Sequence, residues 1–353
     1  MIAIIGGGPA GSYAAYKLAQ SGYDVQVFDQ KKTIGSPVQC TGLLTSQIKN
    51  HIKIDDSFLV NELSNARIFS PNGMSIDVKL KSKNFLFNRT KFDNHLVKMA
   101  KGEGAKFNLK HKFNGFQDDK IKVGARRIKA DYVVGADGPN SMVAKASGMD
   151  NGREFTVGVQ VRARIKVDPE TIEFWPGYGN FGWLVPESDK VARIGVASYS
   201  NTNEVFKVFM ERHFPQAKVL ETQGGLIPLY SPRQKLQSGN VRLVGDAATQ
   251  VKATTFGGIV FGLMAGDILA QDLDNYEKNC RGAMENDLRA ALIARKVMDR
   301  FSAKDYNELI NIFGRQDVKK IIEENDRDFL SKFAFQLIKT EPRLLKFARK
   351  IVF

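Results

Sequence analysis

Cysteine is nearly absent from this 353-residue chain: Cys40 and Cys280 stand far apart, and only four histidines could join them as soft metal ligands. With no CxxC and no Cys/His pair at ligand spacing, neither a disulfide framework nor a metal site is expected. The GxSxG, HExxH and GxxxxGK[ST] patterns are also missing, which removes the easily read serine hydrolases, zincins and P-loop NTPases. Long apolar runs are lacking too. Mean hydropathy is −0.27, and the longest charge-free stretches, Met1 to Tyr16 and Thr33 to Ile48, have 16 residues each. A bilayer-spanning helix needs about 20 apolar residues, so none is expected. No basic leader precedes Ile2-Ala3-Ile4-Ile5, and the expectation is a soluble, cytoplasmic protein. Acid is scarce relative to base, with 38 Asp and Glu against 52 Lys and Arg, a formal charge of +14. Such a field attracts anionic partners. Anionic lipids and phosphorylated substrates fit that field; the chain has no recognised nucleic-acid module, so no nucleic-acid partner is expected.

What is present is an ordered alternation of strands, turns and helices without repeats. Ile2 to Ile5 reads as a buried strand, Gly6-Gly7-Gly8-Pro9-Ala10-Gly11 as a turn, Ser12 to Ser21 as a helix and Val25 to Phe28 as a second strand. Arg67 to Leu80 alternates like a hairpin around Pro71-Asn72-Gly73, Lys91 to Lys101 looks helical, and Asp131 to Ala136 forms another buried strand. Residues from about 153 to 235 read as an antiparallel sheet. Val241 to Val244 is a strand after which Gly245-Asp246 opens a helix, and the chain is helical and basic from Asp272. The fold class expected is α/β: a Rossmann-type domain (1–65, 84–150, 236–275), an inserted antiparallel sheet for substrate (66–83, 151–235) and a helical C-terminal region (276–353).

Gly6-x-Gly8-x-x-Gly11 carries the clearest chemistry. Its first glycine permits a tight turn, its second lets backbone approach a pyrophosphate, and its third lets helix and strand pack closely. The phosphates then rest on the helix N-terminus, and Asp29, ending the next strand, is placed to hold ribose hydroxyls. A second literal match, Gly177-x-Gly179-x-x-Gly182, lacks the strand and helix context and reads as a turn between strands.

Two later motifs, Asp137-Gly138 after a buried strand with Arg89 before a short helix, and Gly245-Asp246-Ala247-Ala248 with Thr254, Thr255, Gly257, Gly258 and Ile259, resemble the FAD-binding group of aromatic hydroxylases and geranylgeranyl reductases. Within it, Pro37-Val38-Gln39-Cys40-Thr41-Gly42 is similar to the flavin loop of archaeal geranylgeranyl reductases. Phe181-x-Trp183-x-Val185-Pro186 with Gly195-x-Ala197 resembles that family's pocket pattern of Tyr-x-Trp-x-Phe-Pro and Gly-x-Gly, with Phe181, Val185 and Ala197 as departures. The likeness runs from Met1 to about Tyr276. It implies an aromatic hydroxylase-like FAD fold, with FAD held by Gly6, Gly8, Pro9, Ala10, Gly11, Asp29, Cys40, Thr41, Gly42, Arg89, Asp137, Gly245, Asp246, Gly257, Gly258 and Ile259. A positive helix end near the flavin would stabilise charge on its reduced form.

Several residues have two readings. Cys40 is either a free, small hydrophobe of the often buried kind or a group touching flavin or substrate, and direct catalysis by it would need surroundings that tune the thiol, because an ordinary one donates protons slowly. Lys252 either contacts a phosphate or faces solvent. Trp175 and Trp183, with Phe181, Pro186 and Gly195, either pack a core or line an apolar substrate pocket. His51, His95, His111 and His213 fall in no motif and read as ordinary surface or helix positions. Phe329, Phe333 and Leu337, at helical spacing among lysines and arginines, read as core packing or as a face resting on an anionic membrane.

The family resemblance implies an oxidoreductase that saturates C=C bonds in prenyl chains. Its partners would be an anionic prenyl lipid, an external electron donor such as NAD(P)H or ferredoxin, and a membrane surface touched peripherally. The rivals are a hydroxylase on the same scaffold and a redox-neutral prenyl isomerase or cyclase.

Overall fold

The computed structural model describes residues 1–150 and 152–352. Ile2–Ile5, Val25–Asp29, Tyr132–Gly135 and Val241–Leu243 lie side by side in parallel, with Lys106–Leu109 at one edge and the antiparallel Gln237–Ser238 at the other. Their near-continuous apolar character reflects burial on both faces. The helix Pro9–Gln20 begins with proline at its first position, where no amide hydrogen is needed, and buries Ala14, Ala15 and Leu18. The helix Ile259–Gln271 packs against it. One core joins these elements to Tyr276, Cys280, Met284 and Leu288 of the long helix Tyr276–Met298.

The second sheet has eight strands, in the order 218–228, 155–164, 191–198, 181–186, 171–175, 59–69, 75–87, 43–44. It is antiparallel except where Thr171–Trp175 runs parallel to Leu59–Phe69. The hairpin around Pro71-Asn72-Gly73 is present, but its strands span 59–87, beyond the Arg67 to Leu80 expected. Register shifts at Leu59/Asn61 and Leu63/Asn65 interrupt the alternation there, which masks the period of two in sequence. The turn at Gly177–Gly182 joins two strands, as expected. A three-stranded meander, Phe113–Gln117, Lys120–Val123 and Arg126–Lys129, was not anticipated.

The helix expected at Gly245-Asp246 starts later. Gly245–Ala248 makes a single 3-10 turn, and a loop with Thr249 and Phe256 at positive φ leads to Ile259, where the helix begins. Thr254, Thr255, Gly257 and Gly258 have low helix propensity, and they delay it. Further on, Phe333 and Leu337 are buried with Ile312, Val318, Ile321 and Phe347, so those two take the core reading. Phe329 precedes their helix, which opens only at Ala334. Among the described residues no helix is long and apolar enough to cross a membrane.

Candidate active site

The two sheets and the C-terminal region meet around a cavity of about 300 Å³. Gly8, Pro9 and Ala10 stand at its wall. Gly8 N-caps the first helix without any side-chain cap, and a Cβ added there would meet nothing within 4 Å. An open backbone cradle at a helix N-terminus is the form a pyrophosphate requires, so this chain fits a dinucleotide. Gly6 and Gly11 do not line the cavity. Gly6 has φ +105° and a Cβ there would lie 2.3 Å from the Ala136 carbonyl oxygen; one on Gly11 would lie 2.0 Å from the Gly6 carbonyl oxygen. They shape the turn from behind.

Asp29 and Asp137 also lie outside the cavity wall. The Asp29 carboxylate accepts from the Gly7 and Lys31 amides, both at 2.7 Å, and so braces the turn. Asp137, expected beside the cofactor, accepts from Ser141 Oγ at 2.5 Å and from the Met142 and Val143 amides at 2.7 and 3.1 Å. Its acceptors are committed to the helix Met142–Ala146, a capping role that displaces direct lining of the cavity.

Cys40, Thr41, Gly42 and Arg89 do line it. The Gly42 amide donates to Cys40 Sγ at 3.3 Å, Thr41 Oγ donates to Gln160 Oε1 at 2.7 Å, and Arg193 donates to the Thr41 carbonyl. Burial opposes the Arg89 charge, but Asp93, bonded at 3.0 and 3.1 Å, and the adjacent Cys40 sulfur raise its pKa. Cys280 is remote, and burial pushes its thiol up to about 12. Gly245, Asp246, Gly257, Gly258 and Ile259 form the facing wall. Gly258 N-caps the helix Ile259–Gln271 without a side-chain partner, so a second bare helix end faces the cavity. Burial raises Asp246 to about 6 against the pull of Arg89 and Arg153.

On the second sheet, Phe181, Trp183 and Val185 point into the cavity, joined by Phe174 from the neighbouring strand. Side chains alternate between faces along a strand, and this parity corrects two expectations. Trp175, next to Phe174, points the other way, stacked on Phe69 at 4.6 Å and edge-on to Phe209 and Phe214. Pro186, next to Val185, likewise does not line the cavity, and its carbonyl accepts from Asn61. Gly195 is no lining residue either; a Cβ there would stand 2.4 Å from the Trp183 ring, so its role is to seat that indole. Trp183 is 8% exposed and its Nε1 has no hydrogen-bond partner.

Lys252 neither faces solvent nor is free for a phosphate. It is buried in an ion pair with Asp328, which also accepts from Thr45 Oγ at 2.5 Å. Burial pulls Lys252 down; burial opposes ionisation of Asp328 too, but Lys252, Arg327 and the Thr45 bond hold its pKa low. None of the four histidines lines the cavity. His51, expected at an ordinary surface or helix position, is half-buried at the end of the 3-10 helix Ser46–Asn50, its Nδ1 at 2.6 Å from Asp267, which also accepts from Tyr13. The sequence reading missed Gln160, Gln223, Leu226, Ile227, Phe256, Arg327 and Asp328. Strand parity could have found Gln160, which lies across from Gly195. No sequence signal marked Arg327 or Asp328.

Comparison with known proteins agrees with this geometry. Residues 1–222 match the FAD binding domain family. A digeranylgeranylglycerophospholipid reductase of Methanosarcina acetivorans is 30% identical over 87% of each chain, and digeranylgeranylglycerophospholipid reductase 1 of Methanococcoides burtonii is 28% identical over 91% of this chain and 89% of its own. A geranylgeranyl bacteriochlorophyll reductase-like protein of Thermoplasma acidophilum shares the fold with a TM-score of 0.86 at 23% identity, over 97% of this chain and 98% of that one. The flavin-dependent halogenase CmlS shares it at 0.67 and 16% identity, over 97% and 78%. The chain therefore belongs to the FAD-binding flavoprotein oxidoreductases, in the family of the digeranylgeranylglycerophospholipid reductases.

Proposed function

We propose that this FAD-dependent oxidoreductase saturates C=C bonds in the geranylgeranyl chains of an anionic ether lipid or of geranylgeranyl diphosphate. The observation that carries the reading is the make-up of the cavity: two bare helix ends and a glycine cradle on one side, and Phe174, Phe181, Trp183, Val185, Leu226 and Ile227 on the other. An apolar wall of that kind suits a hydrocarbon chain laid beside a redox cofactor. When bound and reduced by the electron donor, the flavin would supply the hydride for one alkene carbon, returning to its oxidised form, while the other carbon takes a proton. The role of this chain is to hold the prenyl segment in place and to exclude water. Gly8, Pro9, Ala10, Cys40, Thr41, Gly42, Arg89, Gly245, Asp246, Gly257, Gly258 and Ile259 are proposed to contact the cofactor, with Cys40 also within reach of the substrate. Electrons are proposed to come from an external donor, NAD(P)H or ferredoxin, and the lipid to be met at a membrane surface by a protein that otherwise works in the cytoplasm.

The test is anaerobic incubation of the dithionite-reduced holoprotein with a geranylgeranyl ether phospholipid, followed by mass spectrometry. A gain of two hydrogens per reduced bond is expected. Gain of an oxygen in air, or a rearranged product of unchanged mass, would overturn the reading in favour of hydroxylation or of isomerisation.

A further inference from the structure

Three cationic side chains reach the cavity among the described residues: Arg89, Lys252 and Arg327. Two are already matched. Arg89 holds Asp93 through two hydrogen bonds, and Lys252 is paired with Asp328. Arg327 differs. Its Nε is buried without a hydrogen-bond partner. The flanking aspartates are engaged elsewhere: Asp328 accepts from Lys252 on one oxygen and from Thr45 on the other, while Asp326 accepts from Gln47 Nε2 at 2.8 Å and from the Asp328 amide at 2.9 Å. Burial lowers the Arg327 pKa, with Asp328 and Asp326 opposing, yet a guanidinium remains charged under all ordinary conditions.

A guanidinium on a half-buried side chain whose Nε is fully buried and unfilled is costly unless an acceptor completes it. Lys252, Arg327, Asp326 and Asp328 sum to no net charge, so what Arg327 offers is a planar set of donors rather than excess charge. That set matches phosphate oxygens in bidentate fashion. The bare end of the helix Ile259–Gln271 already supplies a positive pole on the glycine wall. Arg327 enters from the C-terminal region, beside the pair that joins Thr45 to Lys252.

We infer that Arg327 is a substrate-binding residue that receives the phosphate of the lipid head group where the C-terminal region closes the cavity. This rests on the prenyl-lipid reading and adds the group that selects charged over neutral prenyl compounds.

The experiment compares binding of geranylgeranyl diphosphate and geranylgeraniol, which share a chain and differ in charge, to the oxidised holoprotein, followed by perturbation of the flavin absorbance. Arg327→Met should weaken diphosphate binding by about ten- to a hundred-fold, the effect of one lost charged hydrogen-bonding partner. Alcohol binding, flavin content and flavin reduction potential should stay as in the parent. Arg327→Lys should recover part of the loss, and inorganic phosphate should compete with the diphosphate in the parent more strongly than in Arg327→Met. Equal losses for diphosphate and alcohol, a shifted potential or lost flavin would overturn the inference, assigning Arg327 to the fold or the cofactor. Unchanged diphosphate binding would overturn it directly while leaving the prenyl reading intact. If the parent bound neither compound, the prenyl reading would fall and the inference with it.

Discussion

Gly8→Val separates a glycine needed by the cofactor from glycines needed by the fold. Gly8 has φ −66° and ψ −178°, an extended conformation any residue adopts, and no atom lies within 4 Å of an added Cβ. The apoprotein should therefore tolerate valine with a melting temperature close to that of the parent. The cofactor should not. Pro9 has no amide hydrogen and the Ser12 amide is bonded to the Gly8 carbonyl at 2.8 Å, which leaves the Ala10 and Gly11 amides as the free donors of the first turn. A valine side chain projects into the space a phosphate needs to reach them. Losing two hydrogen bonds to a charged group, at about 1.5 to 3 kcal/mol each, weakens binding by about two to four decades. The assay is titration of deflavinated protein with FAD, read by flavin fluorescence, beside thermal melts by circular dichroism. Gly6→Ala serves as contrast: with φ +105° and a 2.3 Å clash it should cost stability and FAD together. A Gly8→Val protein that binds FAD like the parent, or melts as early as Gly6→Ala, would refute the assignment of the cradle.

Two further outcomes follow from the buried charges. Asp328→Ala strands the Lys252 ammonium and should destabilise by about 3 to 5 kcal/mol, a fall in melting temperature of about 5 °C for a chain of this size; the double variant Lys252→Met/Asp328→Leu should recover most of it, and a single variant that melts like the parent would show that the pair carries no weight. For Asp246 the folded pKa is raised by burial from 3.8 to about 6, so the folded apoprotein binds this proton more tightly than the unfolded chain, and stability should fall as pH rises through that interval. The full shift corresponds to about 3 kcal/mol, an upper bound because the carboxyl opens onto a solvent-accessible cavity. Asp246→Asn should remove that slope from melts taken between about pH 4 and pH 6, and an unchanged slope would assign it to another group.

The legible parts of the site were those encoded locally. A strand, a glycine turn and a helix are written within the first twenty residues, so the first helix end at the cavity could be located from spacing, whereas the second was expected at Gly245-Asp246 and begins only at Ile259. Phe181 and Trp183 came from a family pattern, but the period of two applied to the same strand would have excluded Pro186 and included Val185, and applied to Phe174 would have excluded Trp175. Lys252 was misread for a different reason. Its partner is Asp328, a residue that falls in no motif, and nothing in a sequence states which buried charge meets which. Asp137 has the same difficulty on a smaller scale: a carboxylate after a strand can hold a ribose or cap the next helix, and the arrangement of the Ser141 hydroxyl and the Met142 and Val143 amides that decides between them exists only in three dimensions.

The C-terminal third does more than cover the core. Asp328 reaches Thr45, just past the short strand Leu43–Leu44 that follows the Cys40-Thr41-Gly42 loop, and Lys252, in the loop before the helix Ile259–Gln271. One carboxylate thus ties together two loops that form separate walls of the cavity and are about two hundred residues apart in the chain. A buried ion pair is a weak source of net stability, because desolvation of both charges offsets most of their attraction. Its value here is geometric. Replacing it with apolar side chains should leave the protein stable while loosening the relative position of the two loops. Reactions between a bound chain and a cofactor are sensitive to displacements of about 1 Å. The double variant Lys252→Met/Asp328→Leu should therefore melt near the parent and retain FAD, yet turn over more slowly; parent-like turnover would mean the loops hold their positions without this link.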